Sequence, residues 1–501
     1  MSLDLNSAPV ADAIDRLGRD PARISATCYD AKARKISEIT AGDLLIAAHS
    51  AAAIIDRRTP RGGRVAIAAG NSINHLCVWL GVQIAGRIWV PLGLSNGPEA
   101  TAHALSLACP DLVCADPAGA RLLEAAGAEN PLALDAMGAD TARFEALYAS
   151  GAQTMAIKFT GGSTGRPKAV VQSCRSVMAN RINMADRFPL ASDDVVLASA
   201  PLTHGSSHFI LPALAAGARL VLVDRASPAA LARIMAKEGV TTGFTAPTAI
   251  QRLAAALAES GTQLHALRRL IYGAAPFPVP ALIRAQETLG PRIAGLYGQT
   301  EAPMTITTIS ESELANPELQ TSVGRPAPLS QVTILGPGGE TLAPGETGDI
   351  TLAGPLIMDG YLGDPEKTAE TIRDGRLHTG DLGRMDEQGR LFITGRASEL
   401  IISGGFNIFP SEVEAALLAT GAVGEACVFG AQDLDWGERV EAAVTAPAAG
   451  RVDVDALRAA VRERLGPVKT PKRIHVLDAL PRNGLGKLMR TDLVRQFSET
   501  S

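Results

Sequence analysis

This chain carries no excess of basic residues: 47 Lys and Arg stand against 52 Asp and Glu, a formal net charge of −5. No face for nucleic acid is expected from that balance, and an anionic ligand would need local cations. Six cysteines (28, 77, 109, 114, 174 and 427) include no C-x-x-C pair, so reduced, packed thiols are expected rather than metal or disulfide use. The most apolar run, Phe209–Val223, is broken by Pro212, Gly217 and Arg219, which argues against a membrane span. Met1-Ser2-Leu3-Asp4 is acidic and lacks a basic-then-apolar leader pattern, so a cytoplasmic location is expected. H-E-x-x-H does not occur, and Ser206 stands in His204-Gly205-Ser206-Ser207-His208 rather than in a G-x-S-x-G, so neither the usual metalloprotease reading nor a serine-hydrolase reading using Ser206 is expected. Internal repeats and low-complexity tracts are also missing. What remains, 46% hydrophobic and 20% charged over 501 residues, is a globular chain with room for two or three domains.

The stretch Phe159-Thr160-Gly161-Gly162-Ser163-Thr164-Gly165-Arg166-Pro167-Lys168 concentrates glycines, hydroxyls and a lysine. An apolar run leads in from Met155, and Ala169-Val170-Val171 leads out. Glycines let successive backbone N–H groups approach a ligand, while hydroxyls and an ammonium add donors and charge. The pattern suits phosphate oxygens. The Walker A spacing G-x-x-x-x-G-K-[ST] is not met, and Lys168 follows a proline.

From Met155 onward, strand-like and helical stretches alternate. Strands are expected at Met155–Phe159, Val195–Ala200, Arg219–Val223, Thr241–Thr245, Leu267–Tyr272 and Arg292–Tyr297, with helices around Ser176–Arg187 and Pro228–Glu238 and after Pro247. That rhythm predicts a parallel sheet covered by helices, with ligands outside the carboxyl ends of its strands. The loops Thr160–Lys168, Pro201–His204, Gly273–Pro276 and Tyr297–Glu301 all follow strands, and one parallel sheet would bring them to one rim. Residues 1–150 read as helices and short strands, with no visible active-site chemistry. After Thr321 the strands become short and glycine-bounded, predicting a small antiparallel barrel or sheet to about residue 395. A last α+β domain of about one hundred residues follows. Ser411 with Glu414 fits a capping box for a helix beginning near Ser411.

Tyr297-Gly298-Gln299-Thr300-Glu301 offers an aromatic face, a close-approach glycine, a hydroxyl and a carboxylate suited to Mg²⁺ beside phosphates. Gly273-Ala274-Ala275-Pro276 is bare enough for a flat ring, or is a plain turn. Thr379-Gly380-Asp381 places a carboxylate after a glycine turn, suited to a ribose diol or to a hairpin. His204 and His208 stand at i, i+4 without the third ligand a metal would need.

The loop from Thr160 to Lys168 resembles the T-S-G-T-T-G-x-P-K-G signature of the adenylate-forming enzymes, with Gly161, Ser163 and Ala169 as departures. Tyr297–Glu301 is similar to that family's Y-G-x-T-E motif and Thr379–Asp381 to its T-G-D. Pro481-Arg482-Asn483-Gly484-Leu485-Gly486-Lys487 is similar to its P-x-x-x-x-G-K. The resemblance spans about residues 155–490, in the family's order. It implies that Thr160, Gly161, Gly162, Ser163, Thr164, Gly165 and Lys168 cradle phosphate, that Thr300 meets the α-phosphate and that Glu301 binds Mg²⁺. Gly273, Ala274, Ala275, Tyr297, Gly298 and Gln299 would border the nucleotide, Asp381 would hold the ribose with Arg396 as its partner, and His204 would line the carboxylate entrance. Ser403-Gly404-Gly405-Phe406-Asn407 is similar to the stretch lining the pantetheine tunnel, Trp436 to a position that stacks on CoA adenine, and Lys472, with Lys469 and Arg473, would meet CoA phosphates. Lys487 would meet developing charge in adenylation, and its loop resembles sites acetylated in the family, which implies an acetyltransferase and deacetylase as partners.

The expected fold is α/β: an N-terminal adenylation domain over 1–395, with parallel-type sheets and a small β-barrel at about 321–395, then a mobile α+β domain over 396–501. Ser398 stands at the hinge, where the family usually carries Asp or Lys. The expected function is an ATP-dependent acyl-CoA synthetase. It forms acyl-AMP from a small carboxylic acid, releases pyrophosphate and transfers the acyl group to CoA, with Mg²⁺ required. An enzyme loading a carrier protein would ignore free CoA, and a nucleotide-binding protein without turnover would release no pyrophosphate.

Overall fold

The computed structural model describes residues 4–128, 130–138, 144–160, 167–434, 436–447, 450–482 and 488–498. The chain divides into two compact units. The first comprises residues 1–277, 281–332 and 352–377, and the second 278–280, 333–351 and 378–501.

Two sheets build the first unit. A nine-stranded sheet runs, edge to edge, 325–326, 307–309, 293–297, 269–272, 242–245, 195–198, 219–223, 24–29 and 35–40. Six of these, from Ile293–Tyr297 to Ile24–Tyr29, are mutually parallel. Runs such as Leu220–Val223 and Ile293–Tyr297 are buried end to end, as parallel strands covered on both faces must be. A seven-stranded sheet runs 360–361, 168–173, 154–160, 88–92, 64–68, 112–115 and 132–133. The helices Ala41–Arg58, Ile73–Ile84, Cys174–Arg187 and Ser207–Ala216 share one apolar core with strand residues of both sheets, including Ile67, Trp89, Val196 and Leu220. The other face of the nine-stranded sheet is covered by Pro228–Glu238, Pro247–Ser260 and Val279–Leu289.

Local signals set many of these boundaries. Helix Pro228–Glu238 starts where Ser227 Oγ accepts from Ala230 N at 3.2 Å, with Pro228 in its first turn. It stops at Gly239, whose φ of +64° is the left-handed conformation of a helix end.

The sheet partners depart from expectation. The strand before the glycine loop, Thr154–Thr160, lies in the seven-stranded sheet and pairs antiparallel with Lys168–Ser173. The strands before Pro201, Gly273 and Gly298 lie in the nine-stranded sheet. The expected single rim is therefore two sheets. A buried apolar run has the same alternation and length whichever sheet receives it, so periodicity cannot choose a partner.

A further sheet has the order 331–335, 348–353, 376–385 and 372–373, with 391–396 also pairing with 376–385; the pairings of 376–385 with 372–373 and with 391–396 are antiparallel. A five-stranded sheet of 406–408, 401–403, 437–445, 426–433 and 473–477 follows, packed by Pro410–Ala419 and Val454–Leu465. The first of these helices begins at Pro410, one residue before the expected start. Glu412, not Glu414, reaches back to the Phe409 N–H, at 3.2 Å. Ser411 donates to the Thr394 carbonyl, and Glu414 accepts from Val428 N and from Arg490. A proline at the first helical position displaces the serine from the cap, because its fixed φ is already helical and it has no N–H to satisfy. All six cysteines are free. Among the described residues no helix is long and apolar enough to cross a membrane.

Candidate active site

Strand Lys168–Ser173 organises the first part of the site. Lys168 pairs with Thr160 across the antiparallel ladder, which closes the glycine loop at its base. Gly161, Gly162, Ser163, Thr164 and Gly165 lie outside the described residues. The Pro167 carbonyl meets His103 Nε2 at 3.1 Å, so the first 150 residues brace this base.

On its other edge the same strand receives Gly360–Tyr361, with Gly360 opposite Val171 and Tyr361 opposite Val170. Tyr361 thereby reaches two charged groups. Lys168 Nζ lies 5.3 Å from the centre of its ring, and its hydroxyl donates to Glu301 Oε1 at 2.8 Å. Burial first, and then the Glu301 charge, push the Tyr361 phenol upward, so it stays a donor at neutral pH. Two further bonds pin the Glu301 segment. Gln172 Nε2 donates to the Thr300 carbonyl at 2.8 Å, and Met358 N to the Glu301 carbonyl at 2.8 Å. Lys168, Thr300 and Glu301 are thus gathered from two distant stretches by one strand and its edge partner.

The turn carrying Thr300 is tight. A Cβ on Gly298 would lie 2.5 Å from the Met304 backbone, and Met304 itself has φ +61°. Only a glycine admits that approach. Gln299 N donates to Ala302 O at 2.9 Å, and Tyr297 is buried. One carboxylate with a tyrosine donor on a single oxygen fits Mg²⁺, which is usually held by one or two carboxylates together with substrate phosphates. Among the described residues no three His, Cys, Asp or Glu side chains form a metal cage.

Gly273 ends strand Arg269–Tyr272 over a wall of Leu296 and Phe244, which a Cβ would meet at 2.6 and 3.1 Å. Ala274 follows at φ +67°, a strained position for a residue with a Cβ, and Ala274 and Ala275 are exposed. The segment is therefore more than a plain turn: it presents small residues beyond a strand end at a backbone cost.

His204 N donates to Pro201 O at 3.0 Å, and its Nδ1 meets Thr203 Oγ1 at 2.8 Å. A Cβ on Gly93 would lie 2.9 Å from the His204 ring. Asn71 holds the preceding loop. Its amide donates to the Ala198, Ala200 and Val223 carbonyls at 2.9–3.1 Å, and its oxygen accepts from Leu202 N at 2.8 Å. Burial, then the Lys158 charge, push the His204 imidazole down to about 4, so it is neutral at pH 7. His208 Nε2 faces Lys158 Nζ at 2.8 Å, an amine where a metal would have to sit.

Reading the sequence missed Gln172, Tyr361, Asn71, Gly93 and His103. Asn71 carried a signal, since Gly70-Asn71 directly follows a buried strand and polar residues beyond strand ends face ligands in parallel sheets. Tyr361 and Gln172 carried none.

In the second unit, Asp381 and Arg396 stand opposite each other in adjacent strands, with Arg396 Nε 2.7 Å from Asp381 Oδ1. Gly404 has φ +56°, donates its N–H to Trp436 O at 2.8 Å and lies against the indole, where a Cβ would come within 2.5 Å. Lys472 Nζ lies 5.0 Å from the centre of the Trp436 ring. Gly404, Trp436 and Lys472, far apart in sequence, form one exposed aromatic and cationic surface, while Ser403 is buried beneath it and Gly405 is open. Lys487 lies outside the described residues.

Comparison with known proteins follows this geometry. Residues 16–362 match the AMP-binding enzyme family, and residues 412–487 match the AMP-binding enzyme C-terminal domain. The chain is 35% identical over 441 residues to a feruloyl-CoA synthase from an Amycolatopsis species, covering 87% of this chain and 89% of that protein. It is 36% identical over 345 residues to the 2-succinylbenzoate–CoA ligase of Geobacillus kaustophilus, covering 69% of each. Among solved structures, ATP-bound MatB from Rhodopseudomonas palustris superposes with a TM-score of 0.88 at 26% identity, over 99% of this chain and 100% of that one. The amide bond synthetase McbA from Marinactinospora thermotolerans does so with a TM-score of 0.88 at 28% identity, over 98% and 100%. The chain belongs to the AMP-binding enzymes of the adenylate-forming superfamily.

Proposed function

We propose the following assignment of roles for an AMP-forming acid–thiol ligase, an acyl-CoA synthetase that uses ATP, Mg²⁺ and CoA. In the first half-reaction a carboxylate oxygen attacks the α-phosphorus of ATP. The P–O bond to the β-phosphate breaks, and acyl-AMP and pyrophosphate form. In the second, the CoA thiol attacks the acyl carbonyl, AMP leaves, and the thiol proton passes to solvent.

The observation that carries the assignment is the gathering of Lys168, Thr300 and Glu301 around strand Lys168–Ser173 by Tyr361 and Gln172. Lys168 and the loop from Thr160 hold the phosphates. Glu301, fixed by Tyr361, holds Mg²⁺, which when bound neutralises charge on the phosphates. Thr300 meets the α-phosphate, and neutral His204 borders the entering carboxylate. Asp381 holds the ribose. Lys487 serves the first step, while Gly404, Trp436 and Lys472 serve the second by receiving CoA. Positioning and electrostatics account for the rate in such phosphate chemistry.

The acid is a small carboxylic acid with an uncharged tail, aromatic or medium-chain aliphatic. The apolar wall of Phe244 and Leu296 behind Gly273 supports this, as does the resemblance to a feruloyl-CoA synthase. The setting is the cytoplasm, and the further partners are an acetyltransferase and a deacetylase acting on Lys487, since acetylation removes the charge that the first step uses.

The test is pyrophosphate release over a panel of aromatic and aliphatic acids, with and without CoA. Acid-dependent release, with thioester formed only when CoA is present, is expected. Absence of release with every acid refutes the assignment, and release without thioester refutes the CoA step. The likeness to an amide bond synthetase makes an amine the second acceptor to include.

A further inference from the structure

A second cluster of polar groups lies away from the phosphate-binding residues, inside the core shared by the two sheets. Lys158, on strand Thr154–Thr160, is buried. Its Nζ donates to Ser207 Oγ at 3.1 Å and to His208 Nε2 at 2.8 Å, and lies 5.3 Å from the centre of the Trp89 ring. Burial pushes this amine down to about 7, so at neutral pH it is only partly charged unless an anion compensates it. The third N–H has no protein acceptor among the described residues, and no described carboxylate pairs with this charge.

Beside it is a cavity of about 20 Å³, bordered by Trp79, Trp89, Lys158, Gln172, Asn180 and Arg181, with Ser207, His208 and apolar side chains completing the lining. Five buried polar atoms on those residues have no partner: Trp79 Nε1, Trp89 Nε1, Asn180 Nδ2, Arg181 Nε and Gln172 Oε1. Their partner residues fix which atoms are left over. Asn180 Oδ1 is engaged by Thr305 Oγ1 at 3.0 Å, so its NH₂ remains. Gln172 Nε2 is engaged by the Thr300 carbonyl, so its oxygen remains. Both terminal nitrogens of Arg181 are bonded to Asp12, leaving Nε.

Unpartnered buried polar groups are rare, and each calls for an occupant. The volume admits one water-sized species. Counting the third lysine proton, the orphans are five donors and one acceptor. A water accepts about two hydrogen bonds, whereas a monatomic anion accepts from every direction and also supplies the missing counter-charge. We propose that this cavity is a binding site for one small monovalent anion of the halide class, held as the counter-ion of Lys158 by the two indole N–H groups, Asn180 and Arg181. Its occupant braces two elements of the active site. Gln172 borders the cavity and holds the Thr300 carbonyl, and Lys158 stands two residues before Thr160.

The experiment uses the full chain, exchanged into sodium gluconate. Sodium chloride, bromide or sulfate then replaces gluconate at constant ionic strength while the melting temperature is followed. Chloride and bromide should raise it saturably. Sulfate should give only the unsaturated, general salt effect, because it does not fit the cavity. Lys158→Met should remove the saturable part. Trp89→Phe keeps the charge and deletes one donor, and should weaken the apparent halide affinity several-fold; it decides the matter should Lys158→Met not fold. Crystals grown in bromide should show an anomalous peak between Lys158 Nζ and the indoles. A melting temperature with no saturable halide dependence, the same dependence in both variants, or a cavity holding only water in bromide crystals would each overturn the site.

Discussion

Replacing Tyr361 by phenylalanine isolates one contact. The ring stays, so its packing over Lys168 is kept, and only the hydroxyl that donates to Glu301 Oε1 at 2.8 Å is lost. A hydrogen bond to a charged group contributes about 1.5–3 kcal/mol when shielded. Tyr361 and Glu301 are both half-buried, so water can replace part of the bond and the lower end, about 1–2 kcal/mol, is the better figure. That corresponds to roughly a 5- to 30-fold loss, since 1.4 kcal/mol is tenfold. The loss should appear in the apparent affinity for Mg²⁺ during acyl-AMP formation, because the tyrosine orients the carboxylate that holds the metal. The assay is pyrophosphate release against Mg²⁺ concentration at saturating ATP and acid. The half-saturating Mg²⁺ concentration should rise, with conversion of supplied acyl-AMP to thioester unchanged. A double-mutant cycle with Glu301→Gln sharpens the test: once the charge is gone, removing the hydroxyl should cost little more. Native Mg²⁺ dependence in Tyr361→Phe, or full additivity with Glu301→Gln, refutes the claim that Tyr361 acts through Glu301.

Glu301→Gln by itself keeps the side-chain shape and removes the charge; adenylation at the native rate, measured by pyrophosphate release, would show that Glu301 holds no metal. Lys487→Ala should slow acyl-AMP formation by about a hundred- to a thousandfold, the effect of losing one preorganised donor, and leave thioester formation from supplied acyl-AMP intact. Single-turnover assays of each half-reaction check this, and a defect confined to the thioester step refutes it. Gly404→Leu forces a side chain at φ +56° into the space of the Trp436 ring. It should block the CoA step while sparing pyrophosphate release, with Trp436→Ala raising the KM for CoA as the milder variant; equal loss in both steps points instead to misfolding. Acid should destabilise the fold. His204 is pushed down to about 4 by burial, and His75 and His208 are shifted in the same direction by burial, so the unfolded chain binds their protons first. Stability contributed by His204 is complete above pH 6.5 and falls by roughly 3 kcal/mol as the pH drops to about 4. A urea midpoint that is flat from pH 7 to pH 5 would contradict this.

The sequence by itself determined most of the elements and the motif residues. Strands such as Arg219–Val223 and Arg473–Leu477 and helices Pro228–Glu238 and Val454–Leu465 stand where apolar runs, prolines and glycines place them, because those signals act within a few residues. The glycine loop and the pentapeptide ending at Glu301 were legible for the same reason: their chemistry is contiguous. Partnership between distant segments was not. Only the tertiary structure decided that the glycine loop joins two antiparallel strands of one sheet while Gly273 and Gly298 end strands of the other. It alone set Tyr361 between Lys168 and Glu301, turned Asn71 toward the loop before His204, and placed Gly404 under Trp436 beside Lys472. It also buried Lys158 among unpartnered donors at the centre of a strand whose pattern reads as ordinary core. The physical reason is range. Propensity, capping and turn chemistry are properties of neighbouring residues, whereas a hydrogen bond between residues 361 and 301 depends on how whole sheets and helices pack.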